Sequence, residues 1–315
     1  MAFTPSKETY TGKVYSVTIG TDENTVTFGG ENVFPFHTFE GAVPNRPVIA
    51  HEIQDVPPDD WPENIQKPFE TVSHDPVTWA RFCQNVLKAK AITLRLRGTH
   101  PDSQNRSPED AAKTVKDVLS AINVPLIILG SNHTEKDASV LVAAAEAAEN
   151  KNCIIGKAQE ANYKTIAAAA MANNHKLIAM SELDVNLSKQ LNILITQLGF
   201  DREKIIIDPM CSALGYGLEY TYSVMERIRF AALMQNDLTM QAPMVGDIAM
   251  YVWKVKETQA SETDMPQWGP TKERAITWEA VTATALLLAG AELLIMRHPR
   301  AIEAVEKVIE ELVEV

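Results

Sequence analysis

Residues 176–208 read KLIAMSELDVNLSKQLNILITQLGFDREKIIID, and the way this stretch divides decides the fold. Residues 176–180 are an apolar run of strand length, and residues 204–208 are another that ends on Asp208. Between them Leu187, Leu191, Leu194, Ile195 and Leu198 recur on one helical face, and Gly199 stands where a left-handed helix terminator belongs. Asp184 precedes that helix in a capping position. Two such strands joined by a helix make a parallel unit covered on its faces, which is why the strands are apolar throughout instead of alternating.

The rhythm extends in both directions. Strands are expected at residues 48–53, 91–96, 125–129, 153–155, 176–180, 204–208, 242–245 and 292–296. Asp75-Pro76 and Ser107-Pro108 each set a cap before a first-turn proline, Thr134 has Asp137 three residues on, and a charged amphipathic helix covers residues 301–313. The fold class expected is α/β, with strand–helix units in strict order closing as a (β/α)8 TIM barrel over residues 46–315. A doubly wound open sheet is the alternative if the short fourth strand is false. Residues 1–45 follow a different pattern, in which Tyr15, Val17 and Ile19 share one face, residues 21–24 turn, and Val26 and Phe28 resume, giving an N-terminal β-hairpin extension. Residues 251–271 read as a long polar loop, of a length that usually goes with binding.

With 315 residues at 45% hydrophobic content the chain can fill one large core, and its formal charge of −12 offers no general basic surface for nucleic acid. Residues 1–10 lack the basic-then-apolar pattern of an export signal, and no apolar run reaches the roughly eighteen residues of a membrane span, so a cytoplasmic protein is expected. Cys83, Cys153 and Cys211 are widely spaced and odd in number, which fits buried thiols and neither a disulfide framework nor an ordinary four-thiolate cluster.

In such a barrel the ligand lies at the carboxyl ends of the strands. The residues that follow each strand are polar: Gln54-Asp55, Arg97 to His100, Ser131-Asn132-His133, Lys157 with Gln159, Ser181 to Asn186, Asp208 with Gly215-Tyr216-Gly217, Gly246-Asp247, and Arg297-His298. Taken singly, each reads most simply as a loop residue capping the next helix; eight together favour a ligand surface. His51, His100, His133 and His298 could approach one another, but no HxH or HExxH spacing fixes a metal geometry. No GxSxG elbow, P-loop or GxGxxG fingerprint occurs.

The stretch Asp208-Pro209-Met210-Cys211-Ser212-Ala213-Leu214-Gly215-Tyr216-Gly217 resembles the Asp-Pro and Gly-x-Gly turn of pterin-binding barrels such as dihydropteroate synthase and the methyltetrahydrofolate methyltransferases. Those synthases follow the glycines with a lysine that grips the pterin, whereas Leu218-Glu219 follows here. A pterin-dependent enzyme using Asp208, Asp184 and Asn186 is therefore the competing reading, and a pure interaction scaffold is the third.

Longer segments carry a second resemblance. Phe36-His37-Thr38-Phe39-Glu40-Gly41, Asn45-Arg46-Pro47-Val48-Ile49, Leu191 to Ile195, Gly215 to Tyr220, Ser223 to Arg229, Trp278 to Ala285 and Met296-Arg297-His298-Pro299 look like the small, delta-type subunit of the corrinoid iron-sulfur protein of the acetyl-CoA pathway. That resemblance implies a heterodimer with a large subunit that carries the iron-sulfur cluster and most of the cofactor grip. It implies a base-off corrinoid between the two and no catalytic or metal-ligating residue in this chain. It also implies methyl transfer from a methyltetrahydrofolate methyltransferase to acetyl-CoA synthase, with a reductive activator as a further partner. A polar but uncharged mouth is expected to meet the corrin amides, with Asn132, Asn162, Asn186, Gly215 and Gly217 as contacts. Tyr216, Tyr220, Tyr222 and Trp253 are expected either to line that mouth or to pack helix against sheet.

Overall fold

Eight parallel strands close into a barrel in the computed structural model, which describes residues 6–313; residues 1–5, the start of the segment read above for an export signal, and residues 314–315 lie outside it. A two-stranded antiparallel hairpin, β1 (Ser16–Thr21) and β2 (Asn24–Gly29), precedes the barrel. The barrel strands are β3 (Val48–Gln54), β4 (Ala91–Arg95), β5 (Leu126–Leu129), β6 (Ile154–Ala158), β7 (Lys176–Met180), β8 (Ile205–Asp208), β9 (Met244–Asp247) and β10 (Ala291–Met296). Each pairs with its sequence neighbour, and β10 closes the ring on β3. The open-sheet alternative is excluded by that last pairing. β6 runs to Ala158, past the expected end at 155, because a lysine in a strand reads as loop in the sequence.

Helices α1 (Pro76–Asn85), α2 (Pro108–Ala121), α3 (Thr134–Ala147), α4 (Tyr163–Ala172), α5 (Val185–Gln197), α6 (Leu218–Leu233), α7 (Thr271–Ala289) and α8 (Pro299–Val313) follow the eight strands in turn. The starts of α1 and α2 are as expected: Asp75 accepts from Thr78 N–H, and Ser107 and Asp110 cap each other reciprocally. α3 differs. His133 is its cap, through Nδ1 accepting from Lys136 N–H at 3.2 Å, and Asp137 turns away to hold the preceding loop. Residues 251–271 are also not a plain loop. They wind through helical turns at Val252–Lys254, Lys256–Gln259 and Pro266–Trp268, because Trp253 is fully buried and pulls the segment onto α7.

The hairpin closes the amino end of the barrel. Val17, Ile19 and Phe28 are buried in one cluster with the inward-facing Val48, Ala50, Ile127, Ile154, Ile178, Ile206, Val245, Leu293 and Ile295. Fully burying three such side chains contributes about 1.5–3 kcal/mol each. A second, larger apolar layer fills the space between strands and helices. The three thiols are buried and unpaired, and burial pushes Cys83 and Cys153 up to about 12. No helix among the described residues is long and apolar enough to cross a membrane.

Candidate functional site

Strand parity that delivers apolar residues to the barrel floor delivers charges near its carboxyl end. On β3, Val48 and Ala50 are followed on the same face by Glu52 and Gln54; on β4, Ala91 is followed by Thr93 and Arg95. β6 would break this pattern, since Lys157 shares parity with the outward-facing Ile155. A register irregularity between Ile155 and Ala158 resets the alternation, and the Lys157 ammonium reaches the lumen.

Six side chains thus form one continuous ion-pair chain. Arg297 meets Glu52 at 2.7 Å, Glu52 meets Arg95 at 2.6 Å, Arg95 meets Asp247 at 2.8 Å, Asp247 meets Lys157 at 2.6 Å, and Lys157 meets Asp208 at 2.8 Å. All six are buried, with three charges of each sign, so the chain is formally neutral. Burial opposes ionisation of Glu52 and Asp247, yet the guanidinium groups beside Glu52, and Arg95 with Lys157 beside Asp247, hold both carboxyls below their usual range. Burial likewise opposes the Lys157 charge, and Asp208 and Asp247 overcome it, raising its pKa. An isolated buried charge costs several kcal/mol; strict alternation is what makes this arrangement tolerable.

Above the chain lies a cleft of about 340 Å³ whose lining includes Gln54, Arg95, Arg97, Asn132, Lys254 and Arg297. Arg97 is tied to Asp59 at 2.7 Å and Asp60 at 3.2 Å, and Arg297 stacks on the Trp61 ring at 4.4 Å. Lys254 forms no ion pair among the described residues, and burial, aided by Arg297, lowers its pKa. Two residues of the lining each carry a buried side-chain atom that lacks a hydrogen-bond partner, Arg95 Nη1 and Gln54 Oε1.

The rim is braced from below. Glu279 of α7 accepts the N–H groups of Arg297 at 2.7 Å and His298 at 3.0 Å, and burial pushes its carboxyl up to about 7. Asp55 accepts from Gly98 N–H at 2.8 Å and is pushed up by burial to about 6. Asp137 accepts from the N–H groups of Ser131 and Asn132, and a Cβ on Gly130 would lie 2.4 Å from that carboxylate, so only glycine fits there.

The family model described as CO dehydrogenase/acetyl-CoA synthase delta subunit matches residues 16–308. The chain belongs to this family. The acetyl-CoA decarbonylase/synthase complex subunit delta of Methanothermobacter thermautotrophicus is 36% identical over 97% of this chain and 77% of its own length. The Archaeoglobus fulgidus subunit delta is 35% identical over 98% of this chain and 71% of its own. Among solved structures, dihydropteroate synthase from Xanthomonas albilineans superposes with a TM-score of 0.56 at 13% identity, covering 86% of this chain and 94% of that one. The Thermus thermophilus dihydropteroate synthase gives 0.54 at 10% identity, covering 95% and 100%. At such identities the likeness concerns the barrel alone.

The expected site residues of this delta-family chain are spread around the rim. Asn132, at φ +73°, lines the cleft. Asn162 is buried, with Oδ1 accepting from Gln159 N–H at 2.8 Å and Nδ2 donating to Thr134 O at 3.1 Å, so its amide ties the loop after β6 to α3. Asn186 is exposed in the first turn of α5, where its N–H donates to the capping Asp184. Gly215 and Gly217, at φ +81° and +96°, shape the loop after β8, which Trp278 holds through Nε1 donating to Leu214 O. β8 lies across the ring from β4, so neither these glycines nor Asn186 joins Asn132 in the cleft.

The expectation of an uncharged mouth is wrong, because Asp60, Arg97, Lys254 and Arg297 line the cleft and the six-membered ion-pair chain lies beneath it. Asp208, Lys157, Asp247 and Arg297 were visible as strand-end residues. Glu52 and Arg95 were missed because they lie inside strands that read as plain core; their signal was a charge sharing parity with small inward residues. Tyr216 and Tyr220 are exposed and Trp253 is buried. His100 and His133 have ring centroids 5.5 Å apart, while His51 and His298 are buried and pushed down by burial to about 4. Among the described residues no group of three His, Cys, Asp or Glu is arranged to hold a metal.

Proposed function

We propose that this chain is the delta subunit of an acetyl-CoA decarbonylase/synthase assembly, and that its barrel mouth forms one wall of a chamber for a base-off corrinoid held mainly by a larger iron-sulfur subunit. The observation that carries this reading is the continuous, formally neutral ion-pair chain under a polar cleft. A wall needs polar groups at its surface and no deep hole, and this barrel is filled by apolar side chains at one end and paired charges near the other. The buried, unpartnered atoms in the cleft fit a guest with polar edges.

The corrinoid, when bound, supplies the cobalt that carries a methyl group from a methyltetrahydrofolate methyltransferase to acetyl-CoA synthase. The residues of this chain bind and orient. Asn132 offers an amide held on a braced loop, and Arg97, paired with Asp59 and Asp60, presents its guanidinium to the cleft. Asn162, Asn186, Gly215 and Gly217 belong to the same proposal only as outer-rim contacts, their amides and turns being engaged locally.

A self-sufficient pterin enzyme would need Asp208 free. That carboxylate is fully buried, paired with Lys157, and accepts Met210 N–H at 2.9 Å, and Asp184 is spent on the α5 cap. Coexpression with and without the cluster-bearing subunit tests the proposal through the visible spectrum. A corrinoid band that is present only in the complex is the expected result; a stably coloured lone chain would overturn it.

A further inference from the structure

We propose that the cleft over β3 and β4 is a receptor for one uncharged carboxamide group, with Arg95 Nη1 donating to the amide oxygen and Gln54 Oε1 accepting from the amide nitrogen. Both side chains are almost fully buried, at 3% and 2% exposure, and both line the cleft. Arg95 spends Nε and Nη2 on Glu52 and Asp247, which leaves Nη1 without a partner. Gln54 donates through Nε2 to Glu52 Oε1 at 3.5 Å. An ionised carboxylate only accepts, so the Gln54 amide cannot be turned the other way, and Oε1 is the atom left unsatisfied.

The chemistry of the guest follows from that pair. A carboxylate would satisfy Arg95 and set a second acceptor against Gln54 Oε1. An ammonium would do the reverse, beside Lys254 and Arg297. The charges beneath sum to zero, Arg97 is already paired, and Lys254, which has no ion pair among the described residues, shares the lining with the carboxylates of Asp60 and Asp102, so the cleft carries no net excess of positive charge that would demand an anion. A primary carboxamide satisfies both atoms, as would the lactam edge of a pterin. The ion-pair chain occupies the lumen where a flat bicyclic ring would have to descend, which favours an amide arm projecting from a larger molecule above the rim. The corrin edge carries several such arms, so this inference rests on the corrinoid reading above and names the part of the cofactor that this chain reads.

The test uses the complex of this chain with its large subunit and equilibrium binding of cobinamide followed by visible absorption. Cobinamide and its monocarboxylic acid isomers, each with a single amide hydrolysed, are compared. In the wild-type complex at least one isomer is expected to bind about tenfold more weakly than cobinamide, and Gln54→Met is expected to abolish that difference. Gln54→Asn, which keeps an amide and shortens its reach, serves in place of Gln54→Met if the latter lowers the melting midpoint. If no isomer's penalty depends on position 54 while Asn132→Leu still weakens cobinamide, the amide assignment fails and the corrinoid wall stands. If neither position affects cobinamide, the wall itself fails. Displacement of cobinamide by micromolar methyltetrahydrofolate would reassign the pair to a lactam and overturn the corrin arm.

Discussion

The two ends of the barrel lumen are built on the same strands and sealed by opposite physics. At the amino end Val17, Ile19 and Phe28 of the hairpin meet inward-facing aliphatics, and the seal is non-directional and proportional to buried area. Near the carboxyl end Glu52, Arg95, Lys157, Asp208, Asp247 and Arg297 are held in a fixed sequence of partners. The apolar end tolerates loss in increments, whereas each charge at the other end is tolerated only while its neighbours remain. An active barrel needs its deep polar groups free to meet a substrate; here they satisfy one another, and only the layer above them faces outward.

The comparison breaks most sharply at Asp247, which holds both Arg95 and Lys157. Asp247→Asn leaves a buried excess of positive charge and is expected to lower unfolding free energy by about 3–5 kcal/mol in urea titrations, the range for breaking a buried pair. A loss below about 1 kcal/mol would mean that water reaches the chain and that the two ends differ less than described. The apolar end gives the next effect. Ile19→Ala is expected to cost about 2–5 kcal/mol, toward the low side because a hairpin can settle into the space, with Ile19→Val costing about 0.5–1.5. An Ile19→Val loss as large as that of Ile19→Ala would contradict a graded seal.

A third effect lies in the pH dependence. Glu52 and Asp247 have depressed folded pKa values, so their contribution is present above the ordinary carboxylate range and is lost on acidification through the folded values. Glu279 is the reverse, its folded value of about 7 lying above the unfolded one. It favours folding below about pH 4.5, and that contribution is lost as pH rises toward 7. The Glu279 contribution should therefore decline between about pH 4.5 and 7, by no more than about 1.4 kcal/mol per pH unit for this one proton, while His51 and His298, pushed down by burial to about 4, add a rise of the opposite sign up to about pH 6.5. Asp55, raised to about 6, adds a decline of the same sign. Glu279→Gln should make the slope of stability against pH more positive than that of the unsubstituted chain across that window in denaturant titrations; an unchanged slope would show that Glu279 is ionised throughout.

Much of the scaffold was legible because periodicity is local. Each barrel strand lies within three residues of its expected limits, and Gly199, Asp75, Ser107 and Asp184 mark helix ends by their own chemistry. The exceptions have specific causes. Asp137 could have served α3 or the loop before it, and the backbone N–H groups of Ser131 and Asn132 won it. Trp253 converted an expected loop into helical turns by burying its ring. Of the site, Asn132 was legible from its place after β5, whereas Asn162 was not separable from a binding residue, because an amide that caps a loop and one that meets a ligand look alike in sequence.

The sequence by itself determined the strand–helix order, the cap positions and the family, since all three depend on residue identity at fixed spacing along the chain. Only the tertiary structure decided that the hairpin seals the amino end of the lumen and that Glu52, Arg95 and Lys157 share one ion-pair chain. These side chains come from strands dozens of residues apart, and Lys157 enters only through a register irregularity that alternation does not predict. Whether a buried charge is a defect or a partner depends on what closure of the barrel brings within about 3 Å of it, and that distance is not written in spacing along the chain.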